Sequence, residues 1–458
     1  MDKIALLQTR KSQLFSVGKI IRKEITELLD KDSFVEFSSF SFSESEFYGE
    51  RAEGEGVLTG FATIDGYPYY IVAQNPAVLN GGVSKANCEK ICKCLEQAEK
   101  NQTPVIYMLS SLGVRVGEGV NALEGIAQLI LQVSRLKDSV PQYLIVNGEV
   151  YGQIAVLAGL CDFTFFIDKK SYLATTSPLV ITAAAGQNVS KDGIAGAAAL
   201  NKSGLATFIV SDISQIKSKI IALNSLLKEG LADCDDLNSS IPALNKKADA
   251  NALMNIFDKN STIELGSTYA REIKCVLGRI GGIAVAAVIF EGDDGVKLCP
   301  QNIEKLNDFA ALACYYGLPY ITFVNTLGIK ETPEVANSRI IKELGDYVSV
   351  IDSMNSAKIS IIYGKAIGLG YTLFAAKSMG YDFTYAFANA KVALFDSVQG
   401  AEIELAKGKN SDTSKLAEKY AEENSDPINA AKGGYIDNII EPAFVRQYLI
   451  SSLQMLVK

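Results

Sequence analysis

The chain of 458 residues contains no histidine at all. This absence excludes Ser-His-Asp triads, Cys-His nucleophile pairs and metal sites that use imidazole ligands. An enzyme built from this chain therefore stabilises charge with backbone groups, lysine, arginine or carboxylates, or takes its chemistry from a cofactor.

The cysteines of the chain form no metal or redox motif. They are scattered, and no CxxC pair occurs among them. The sequence therefore predicts neither a zinc ribbon nor a thioredoxin-like site, and no metal-ligand spacing stands out. We expect free, mostly buried thiols in a reducing cytoplasm, and thus a cytoplasmic protein. The eight cysteines are Cys88, Cys92, Cys94, Cys161, Cys234, Cys275, Cys299 and Cys314.

Long apolar runs and a basic charge balance are also missing. The longest apolar stretches, such as residues 281–290, have about ten residues, whereas a membrane-spanning helix needs about 20. The N-terminus is charged and carries no secretory signal. The formal net charge of −8 argues against nucleic acid as the main partner. We expect neither membrane insertion nor nucleic-acid binding.

What the chain does contain is a long internal repeat. Gly148 and Gly152 lie at a predicted strand-to-helix turn, and Gly364 and Gly368 repeat them in the second half of the chain. The other matching pairs are 28–37 with 256–265, 60–72 with 277–289, 103–113 with 318–328, and 161–178 with 381–397. The offset between paired segments changes little along the chain, and loop insertions explain its drift. So long a period indicates a duplicated domain and not a solenoid.

The duplication predicts two domains of one kind. The polar, turn-rich segment 228–252 marks their boundary, so we predict domains at residues 1–240 and 241–458. Within each half, short β-rich runs such as VIYML at 105–109 and QYLIV at 142–146 alternate with helical patterns. This alternation predicts an α/β fold with largely parallel strands, whose sites form at the carboxyl ends of the strands.

Four glycine turns at such strand ends are candidate sites. The first amides of a helix are unpaired and lie at the positive end of the helix dipole, and glycine lets an oxygen approach them closely. Donors from two neighbouring turns make an oxyanion hole. Close packing of small residues is the alternative explanation, which spacing alone does not exclude. The turns are Gly113-Val114, Gly152-Gln153, Gly328-Ile329 and Gly368-Leu369-Gly370.

Four motifs in order resemble one protein family. The motifs are GEGVLTGFATIDGYPYYIVAQ (54–74), VLNGGVSKANCEKICK (78–93), SSLGVRVGEGVNALEG (110–125) and AAKGGYIDNIIEP (430–442). With them the sequence is similar to the carboxyltransferase (β) subunits of biotin-dependent acyl-CoA carboxylases and to the α subunits of biotin-dependent acyl-CoA decarboxylases. The resemblance runs almost end to end, from Leu28 to the C-terminus.

The resemblance implies a fold, a chemistry and partners. It implies two tandem crotonase-like domains, with a coenzyme A thioester bound to the N-terminal domain of one subunit. Carboxybiotin, carried on a biotin carrier protein, would bind the C-terminal domain of another subunit. A homodimer would then form the site, within a hexamer, and biotin carboxylase or membrane decarboxylase subunits would be further partners. The two oxyanion holes would stabilise the thioester enolate and the biotin enolate, so that no side-chain base is needed.

The resemblance also assigns roles to individual residues. The first Gly-Gly pair of the family falls on Gly152-Gln153, and its second Gly-Gly-Ala falls on Gly368-Leu369-Gly370. The candidate cofactor-binding residues are Gly81, Gly82, Arg115, Lys365, Tyr371 and Thr372. Three of them have an alternative role. Arg115 meets a CoA phosphate or pairs with Glu118; Lys365 faces carboxybiotin or solvent; and Tyr371 stacks on biotin or packs in the core.

Three functions remain open on the sequence alone. The leading hypothesis is a carboxyltransferase subunit that moves a carboxyl group between carboxybiotin and a short acyl-CoA, such as acetyl- or propionyl-CoA. The second is the α subunit of a glutaconyl-, methylmalonyl- or malonyl-type decarboxylase, which uses the same reversible chemistry. The third is a non-catalytic relative, because the glycine motifs depart from the family pattern at Gln153 and Leu369.

Overall fold

The computed structural model describes residues 2–45, 50–227, 230–232, 234–406 and 412–457. The chain divides into two compact units, residues 1–221 and 222–458. The boundary predicted between residues 240 and 241 lies further along, in the polar segment 228–252. Three residues of that segment, 228, 229 and 233, lie outside the described part of the chain.

The first unit is built on a mixed sheet of eight strands. Its main path runs β1-β4-β5-β6-β7-β8-β10, and β9 pairs with β7 beside this path. The pairs β1/β4 and β4/β5 are antiparallel, and the other pairs are parallel. A separate two-stranded ribbon joins β2 and β3. The strands are β1 (Val35–Phe37), β2 (Phe42–Ser45), β3 (Glu50–Glu53), β4 (Val57–Ile64), β5 (Tyr67–Gln74), β6 (Val105–Ser111), β7 (Gln142–Tyr151), β8 (Phe163–Ile167), β9 (Tyr172–Ala174) and β10 (Phe208–Val210).

Helices connect the parallel strands of this sheet. Every residue of β6 is buried, as the run VIYML predicts for a central strand. The segment after β7, expected to be a helix, forms a 3₁₀ helix at Gln153–Gly159. The α-helices are α1 (Lys3–Val17), α2 (Lys19–Leu28), α3 (Lys85–Asn101), α4 (Val120–Leu136), α5 (Pro178–Ala185), α6 (Lys191–Ile194), α7 (Ala197–Leu200) and α8 (Ile213–Leu227), along which the division of the chain falls.

The second unit has a sheet of nine strands in a corresponding order. The path runs β11-β12-β13-β15-β16-β17-β19, with β14 paired to β15 and β18 paired to β16. Again the first two pairs are antiparallel and the others parallel. The strands are β11 (Ile263–Leu265), β12 (Ile273–Ile280), β13 (Ile283–Phe290), β14 (Val296–Leu298), β15 (Tyr320–Ile329), β16 (Lys358–Ile367), β17 (Phe383–Phe387), β18 (Lys391–Ala393) and β19 (Asn438–Ile440).

The helices of the second unit complete the correspondence. Helix α11 connects β14 to β15, and α14 follows β16 at the position of the 3₁₀ helix after β7. The helices are α9 (Ala243–Lys246), α10 (Ala250–Leu253), α11 (Pro300–Tyr315), α12 (Pro333–Ala336), α13 (Ile340–Ser353), α14 (Leu369–Phe374), α15 (Ser397–Ala406), α16 (Thr413–Asn424), α17 (Pro427–Lys432) and α18 (Val445–Leu456). The predicted α/β class and the two similar halves are confirmed.

Candidate functional site

Two glycine turns of the first unit lie side by side. Strands β6 and β7 are parallel neighbours, so their carboxyl ends meet at one edge of the sheet. Gly113 follows β6 and Gly152 follows β7, both with positive φ, 110° and 85°. A Cβ added to Gly152 would lie 3.6 Å from the Cα of Gly113. The two turns that sequence spacing paired are therefore in contact.

The amides of these two glycines already have acceptors within the protein. The N–H of Gly113 donates to Ser111 Oγ at 3.2 Å, and the N–H of Gly152 donates to the carbonyl of Ala174 at 3.2 Å. In the described part of the chain no acceptor takes the amides of Val114 or Gln153. The donors left for a ligand are thus those of the residues that follow the glycines.

A short parallel bridge fixes the direction of the Val114 amide. The N–H of Val83 donates to the carbonyl of Gly113 at 2.9 Å, and the N–H of Arg115 donates to the carbonyl of Val83 at 2.8 Å. In such a bridge the residue between the two bonded positions turns its own N–H to the other side. The amide of Val114 consequently points away from Val83.

The second unit repeats this arrangement. The N–H of Gly328 donates to Thr326 Oγ1 at 3.0 Å, and the N–H of Gly368 donates to the carbonyl of Ala393 at 3.0 Å. A Cβ added to Gly370 would lie 3.5 Å from the nitrogen of Gly328, so the two turns are again adjacent. Leu369 is the first residue of α14.

The start of α14 supplies the free donors of the second unit. The first amides of a helix have no partner within it, and no other acceptor among the described residues takes those of Leu369 and Gly370. In β15, Ile329 pairs with Leu298 of β14, and the N–H of Lys330 donates to the carbonyl of Leu298 at 2.9 Å. The amide of Ile329 therefore points away from Leu298, as the amide of Val114 points away from Val83.

The side chains at the two altered glycine positions do not fill the turns. Gln153 is exposed, and the side chain of Leu369 is 47% exposed. Both residues present their backbone amides at a helix start while their side chains extend into solvent. The departure from the Gly-Gly pattern thus leaves both amides in place.

Arg115, a candidate for CoA binding, is a buried residue with its own partners. It is 4% exposed. Its Nη1 lies 3.1 Å from Glu55 Oε2, and its Nε donates to the carbonyl of Gly82 at 3.1 Å. The expected pair with Glu118 is present but looser, at 3.7 Å. In this structure the guanidinium is engaged by the protein and holds the loop next to Val114.

Gly81 and Gly82 lie in the turn beneath this loop. A Cβ on Gly81 would come within 2.0 Å of the carbonyl oxygen of Ser110, and one on Gly82 within 2.9 Å of that of Leu79. Gly81 also has a positive φ of 66°. Only glycine fits these two positions, so close packing is sufficient to explain them.

Of the three remaining candidates, Tyr371 and Thr372 lie in α14 and Lys365 lies in β16, the strand before it. Lys365 Nζ is 3.1 Å from Asp294 Oδ1, and Asp294 is itself almost fully exposed. Tyr371 is half-buried, and burial together with the nearby Tyr435 raises its pKa. Thr372 is exposed, and its Oγ1 donates to the carbonyl of Gly368 at 3.2 Å. Lys365 and Thr372 remain accessible to a ligand.

Comparison with known proteins assigns the family. The carboxyl transferase domain matches residues 16–458. The chain belongs to this family. It is 28% identical to the carboxyltransferase subunit of propionyl-CoA carboxylase from Haloferax mediterranei, over 96% of this chain and 90% of the relative. It is 27% identical to the α subunit of methylmalonyl-CoA decarboxylase from Propionigenium modestum, over 99% and 94%.

A solved structure shows the same fold. The 12S transcarboxylase, crystallised as a hexamer core with methylmalonyl-CoA bound, matches this member of the carboxyl transferase family with a TM-score of 0.91. The two share 24% identity over 99% of this chain and 95% of the other. The expected fold, two crotonase-like halves, is confirmed, as is the resemblance to carboxylase β and decarboxylase α subunits.

Sequence reasoning missed the residues that hold the turns. Ser111 and Thr326 each bind the amide of the glycine two positions later. They are separated by the same distance along the chain as Gly113 and Gly328, which is a signal the repeat already contained. Glu55 was also missed, because nothing in its local sequence shows that it meets a residue 60 positions away.

Proposed function

We propose that this chain is a carboxyltransferase subunit that moves a carboxyl group between carboxybiotin and a short-chain acyl-CoA such as propionyl- or acetyl-CoA. The observation that carries the proposal is the repeated pair of adjacent turns, each with amides that have no acceptor among the described residues. Such amides suit a developing oxyanion, and one donor is worth about 3–4 kcal/mol in a transition state. The relatives named above, which act on acyl-CoA thioesters, support the same chemistry.

The two units take different substrates in this proposal. The amides of Val114 and Gln153 stabilise the enolate oxygen of the thioester, and those of Leu369 and Gly370 stabilise the ureido oxygen of biotin. Ile329 adds a donor at the second site. Lys365 and Thr372 are proposed contacts of carboxybiotin, and Tyr371 borders them. Arg115, Gly81 and Gly82 shape the acyl-CoA side through the loop that carries Val114.

The reaction needs no side-chain base. Carboxybiotin, when bound, would supply the CO₂ by cleavage of its N–C bond and would accept the α-proton of the acyl-CoA at its ureido group. The amides of Val114 and Gln153 would stabilise the thioester enolate while it forms the new C–C bond with CO₂. The protein supplies dipoles for the two oxyanions, which agrees with a chain that has no histidine.

The proposed partners follow from the substrates. A biotin carrier protein brings carboxybiotin, and a biotin carboxylase charges it. A homodimer forms the site, with the acyl-CoA on one subunit and carboxybiotin on another, and dimers assemble into a hexamer, as the 12S transcarboxylase does. In the described residues no helix is both long and apolar enough to cross a membrane. We propose the cytoplasm as its location.

A second candidate function is the α subunit of an acyl-CoA decarboxylase. It is favoured by the similarity to the decarboxylase of Propionigenium modestum, which covers almost the whole of both chains. The chemistry is the same reaction run in reverse, with the carboxyl group passed to biotin. Membrane decarboxylase subunits would replace the biotin carboxylase as partners.

Purified chain incubated with methylmalonyl-CoA and free biotin tests the proposal. We expect formation of propionyl-CoA and CO₂, measured by chromatography, at a rate that free biotin increases. No turnover, together with no heat on calorimetric titration with acetyl-, propionyl- or malonyl-CoA, would leave a non-catalytic relative as the explanation.

Proline substitution at the two helix starts tests the amides themselves. Proline is tolerated at the first position of a helix and removes the N–H there. We expect Gln153→Pro and Leu369→Pro each to lower kcat by about 10²–10³-fold, the effect of losing one oxyanion donor. Gln153→Ala and Leu369→Ala, which keep the amides, are the controls and should stay close to wild type. Equal losses in the alanine and proline variants would contradict the backbone role.

A further inference from the structure

Thr326 connects the two turns of the second unit. It is fully buried. Its Oγ1 donates to the carbonyl of Val296 at 2.7 Å and accepts the N–H of Gly328 at 3.0 Å. Its methyl group lies against the other turn, since a Cβ on Gly370 would come within 2.4 Å of Thr326 Cγ2. One side chain thus contacts β14, the Gly328 turn and the start of α14.

The first unit has different residues at the same junction. Ser111 is the counterpart of Thr326 in the repeat; it is also buried and accepts the N–H of Gly113, but it has no methyl group. The counterpart of Gly370 is Ile154, which is buried in the core. The first unit thus combines a small strand residue, Ser111, with a large residue at the helix start, Ile154. The second unit combines the larger Thr326 with glycine, Gly370.

We propose that Thr326 is a positioning residue of the second oxyanion site. Its hydroxyl binds the amide of Gly328 and holds that peptide plane, and its methyl group sets the position of α14 and hence of the Leu369 and Gly370 amides. The inference rests on the proposed function, because it concerns the site assigned there to carboxybiotin. It adds a size-matched pair, Thr326 with Gly370, to that site.

Variants at the two positions separate the hydroxyl from the methyl group. Thr326→Val keeps the shape and removes the acceptor of the Gly328 amide. Thr326→Ser keeps both hydrogen bonds and removes the methyl group. Gly370→Ala places a carbon where that methyl group lies, and Thr326→Ser combined with Gly370→Ala makes room for it.

Two partial reactions report on the two sites separately. Decarboxylation of free N-carboxybiotin, without acyl-CoA, forms an oxyanion only on biotin. Decarboxylation of methylmalonyl-CoA, without biotin, breaks a C–C bond, releases CO₂ and forms an oxyanion only on the thioester, whose α-carbon then takes a proton from water. Each variant is assayed in both reactions, and its thermal unfolding is recorded to confirm folding.

The expected losses are confined to the biotin reaction. Thr326→Val and Gly370→Ala should each lower its kcat by on the order of a hundredfold with little change in KM, because misplaced groups lose transition-state contacts. Thr326→Ser should lose about threefold or less, and adding it to Gly370→Ala should restore at least about tenfold. The methylmalonyl-CoA reaction should remain within about twofold of wild type in all four variants.

Several results would overturn the inference. If Thr326→Val has the wild-type kcat in the biotin reaction, the hydroxyl has no positioning role. If the double variant has no higher kcat than Gly370→Ala alone, Thr326 and Gly370 are not matched in size. Parallel losses in both reactions mean that Thr326 only stabilises the fold. A wild-type chain that catalyses neither partial reaction refutes the proposed function and this inference with it, whereas two wild-type rates and an unaffected Thr326→Val refute the inference alone.

Discussion

In the first unit the buried ion pair of Arg115 and Glu55 lies next to the Gly113 turn, whereas in the second unit the buried pair joins Arg446 of α18 to Asp258. The pairs are similar in closeness and burial, at 3.1 Å and 2.6 Å with side chains at most 6% exposed. Lys330, the counterpart of Arg115 in the repeat, is exposed and forms no ion pair among the described residues.

A repeated aspartate also has different cationic partners in the two units. Asp30 and Asp258 occupy matching positions of the repeat, and each accepts amide hydrogen bonds from a hairpin turn, at Gly66 and at Gly282. In the first unit the nearby cation is Lys217, a partly exposed residue 3.6 Å from Asp30. The units therefore share the carboxylate and differ in the burial of its partner.

Buried charge in this chain therefore fixes particular loops more than it stabilises the fold in general. A buried ion pair gains little over well-packed apolar residues, but removing one partner leaves an isolated buried charge. In the first unit that charge would lie beside the Val114 amide. In the second unit it would lie at Asp258, near the turn of β12 and β13 and away from Gly328 and Gly368 in sequence.

Arg115→Met and Arg446→Met should have the largest effects and should distinguish the two units most clearly. Each leaves a buried carboxylate unpaired, so each should lower the free energy of unfolding by about 3–5 kcal/mol. Only Arg115→Met should also lower the rate of methylmalonyl-CoA decarboxylation, by about tenfold or more, because its loop carries the Val114 amide. Urea unfolding and the partial-reaction assay at a temperature where both variants are folded measure the two effects.

A double variant serves as the control for this pair. Adding Glu55→Gln to Arg115→Met removes the unpaired carboxylate charge and should recover part of the lost stability. Equal loss of the thioester reaction in both single variants would show that global stability, and not the loop, governs the rate.

The strand pattern and the glycine turns followed from the sequence because they depend on local periodicity and on a repeat that the chain contains twice. VIYML and QYLIV became parts of β6 and β7, and their glycine turns did meet. The helix after β7 was expected but is a 3₁₀ helix. Its hydrogen-bonding type depends on packing beyond the local sequence.

Side-chain roles were predicted less well, because they depend on contacts between distant residues. Arg115 was considered as a phosphate ligand or as a partner of Glu118, its neighbour three residues away. Its closest carboxylate is instead Glu55. Likewise, the amides available to a ligand belong to Val114 and Gln153, because Ser111 and Ala174 take those of the glycines. The role of Ala174 is not evident before the strands are assembled, whereas the repeat of Ser111 as Thr326 is a signal in the sequence for the other acceptor.

A smaller effect is expected at the buried lysines that the two units share. Lys90 Nζ donates to the carbonyls of Gly54 and Val57, at 2.9 Å and 2.7 Å. Lys305 Nζ donates to those of Gly266, Tyr269 and Ile273, at 2.6–2.9 Å. Burial lowers the pKa of both, that of Lys90 to about 8. The ammonium groups thus hold corresponding loops at a considerable desolvation cost.

Replacing each lysine by methionine tests how much its ammonium group stabilises the unit that contains it. The loss of charge-assisted bonds, each about 1.5–3 kcal/mol, is partly offset because the variants no longer bury an ammonium group. We expect the free energy of unfolding to fall by about 2 kcal/mol in Lys305→Met. The fall should be smaller in Lys90→Met, because fewer carbonyl groups lose their hydrogen-bond donor. Urea unfolding measures both. A larger loss for Lys90→Met would show that the loop carrying Glu55 depends on this lysine more than its bond number indicates.

The smallest expected difference concerns Asp162 and Asp382, which immediately precede the matching strands β8 and β17. Asp162 Oδ2 accepts the N–H of Gln142 at 2.7 Å. Burial raises the pKa of Asp162 to about 6, Asp138 adds to the rise, and the Gln142 bond and Lys137 oppose it. Between about pH 4 and pH 6 the folded chain therefore binds more protons at this carboxyl than the unfolded chain, so its contribution to stability falls as pH rises.

Asp162→Asn should remove this pH dependence while keeping an oxygen for the Gln142 amide. Relative to wild type, we expect the variant to gain on the order of 1 kcal/mol of unfolding free energy between pH 4 and pH 6.5, since solvent screens a half-buried group. Asp382→Asn is the matched control: Asp382 accepts the N–H of Lys358 at 2.8 Å but is exposed. Urea unfolding across this pH range compares them. If both variants shift the pH profile alike, burial does not distinguish the two aspartates, and this difference between the units disappears.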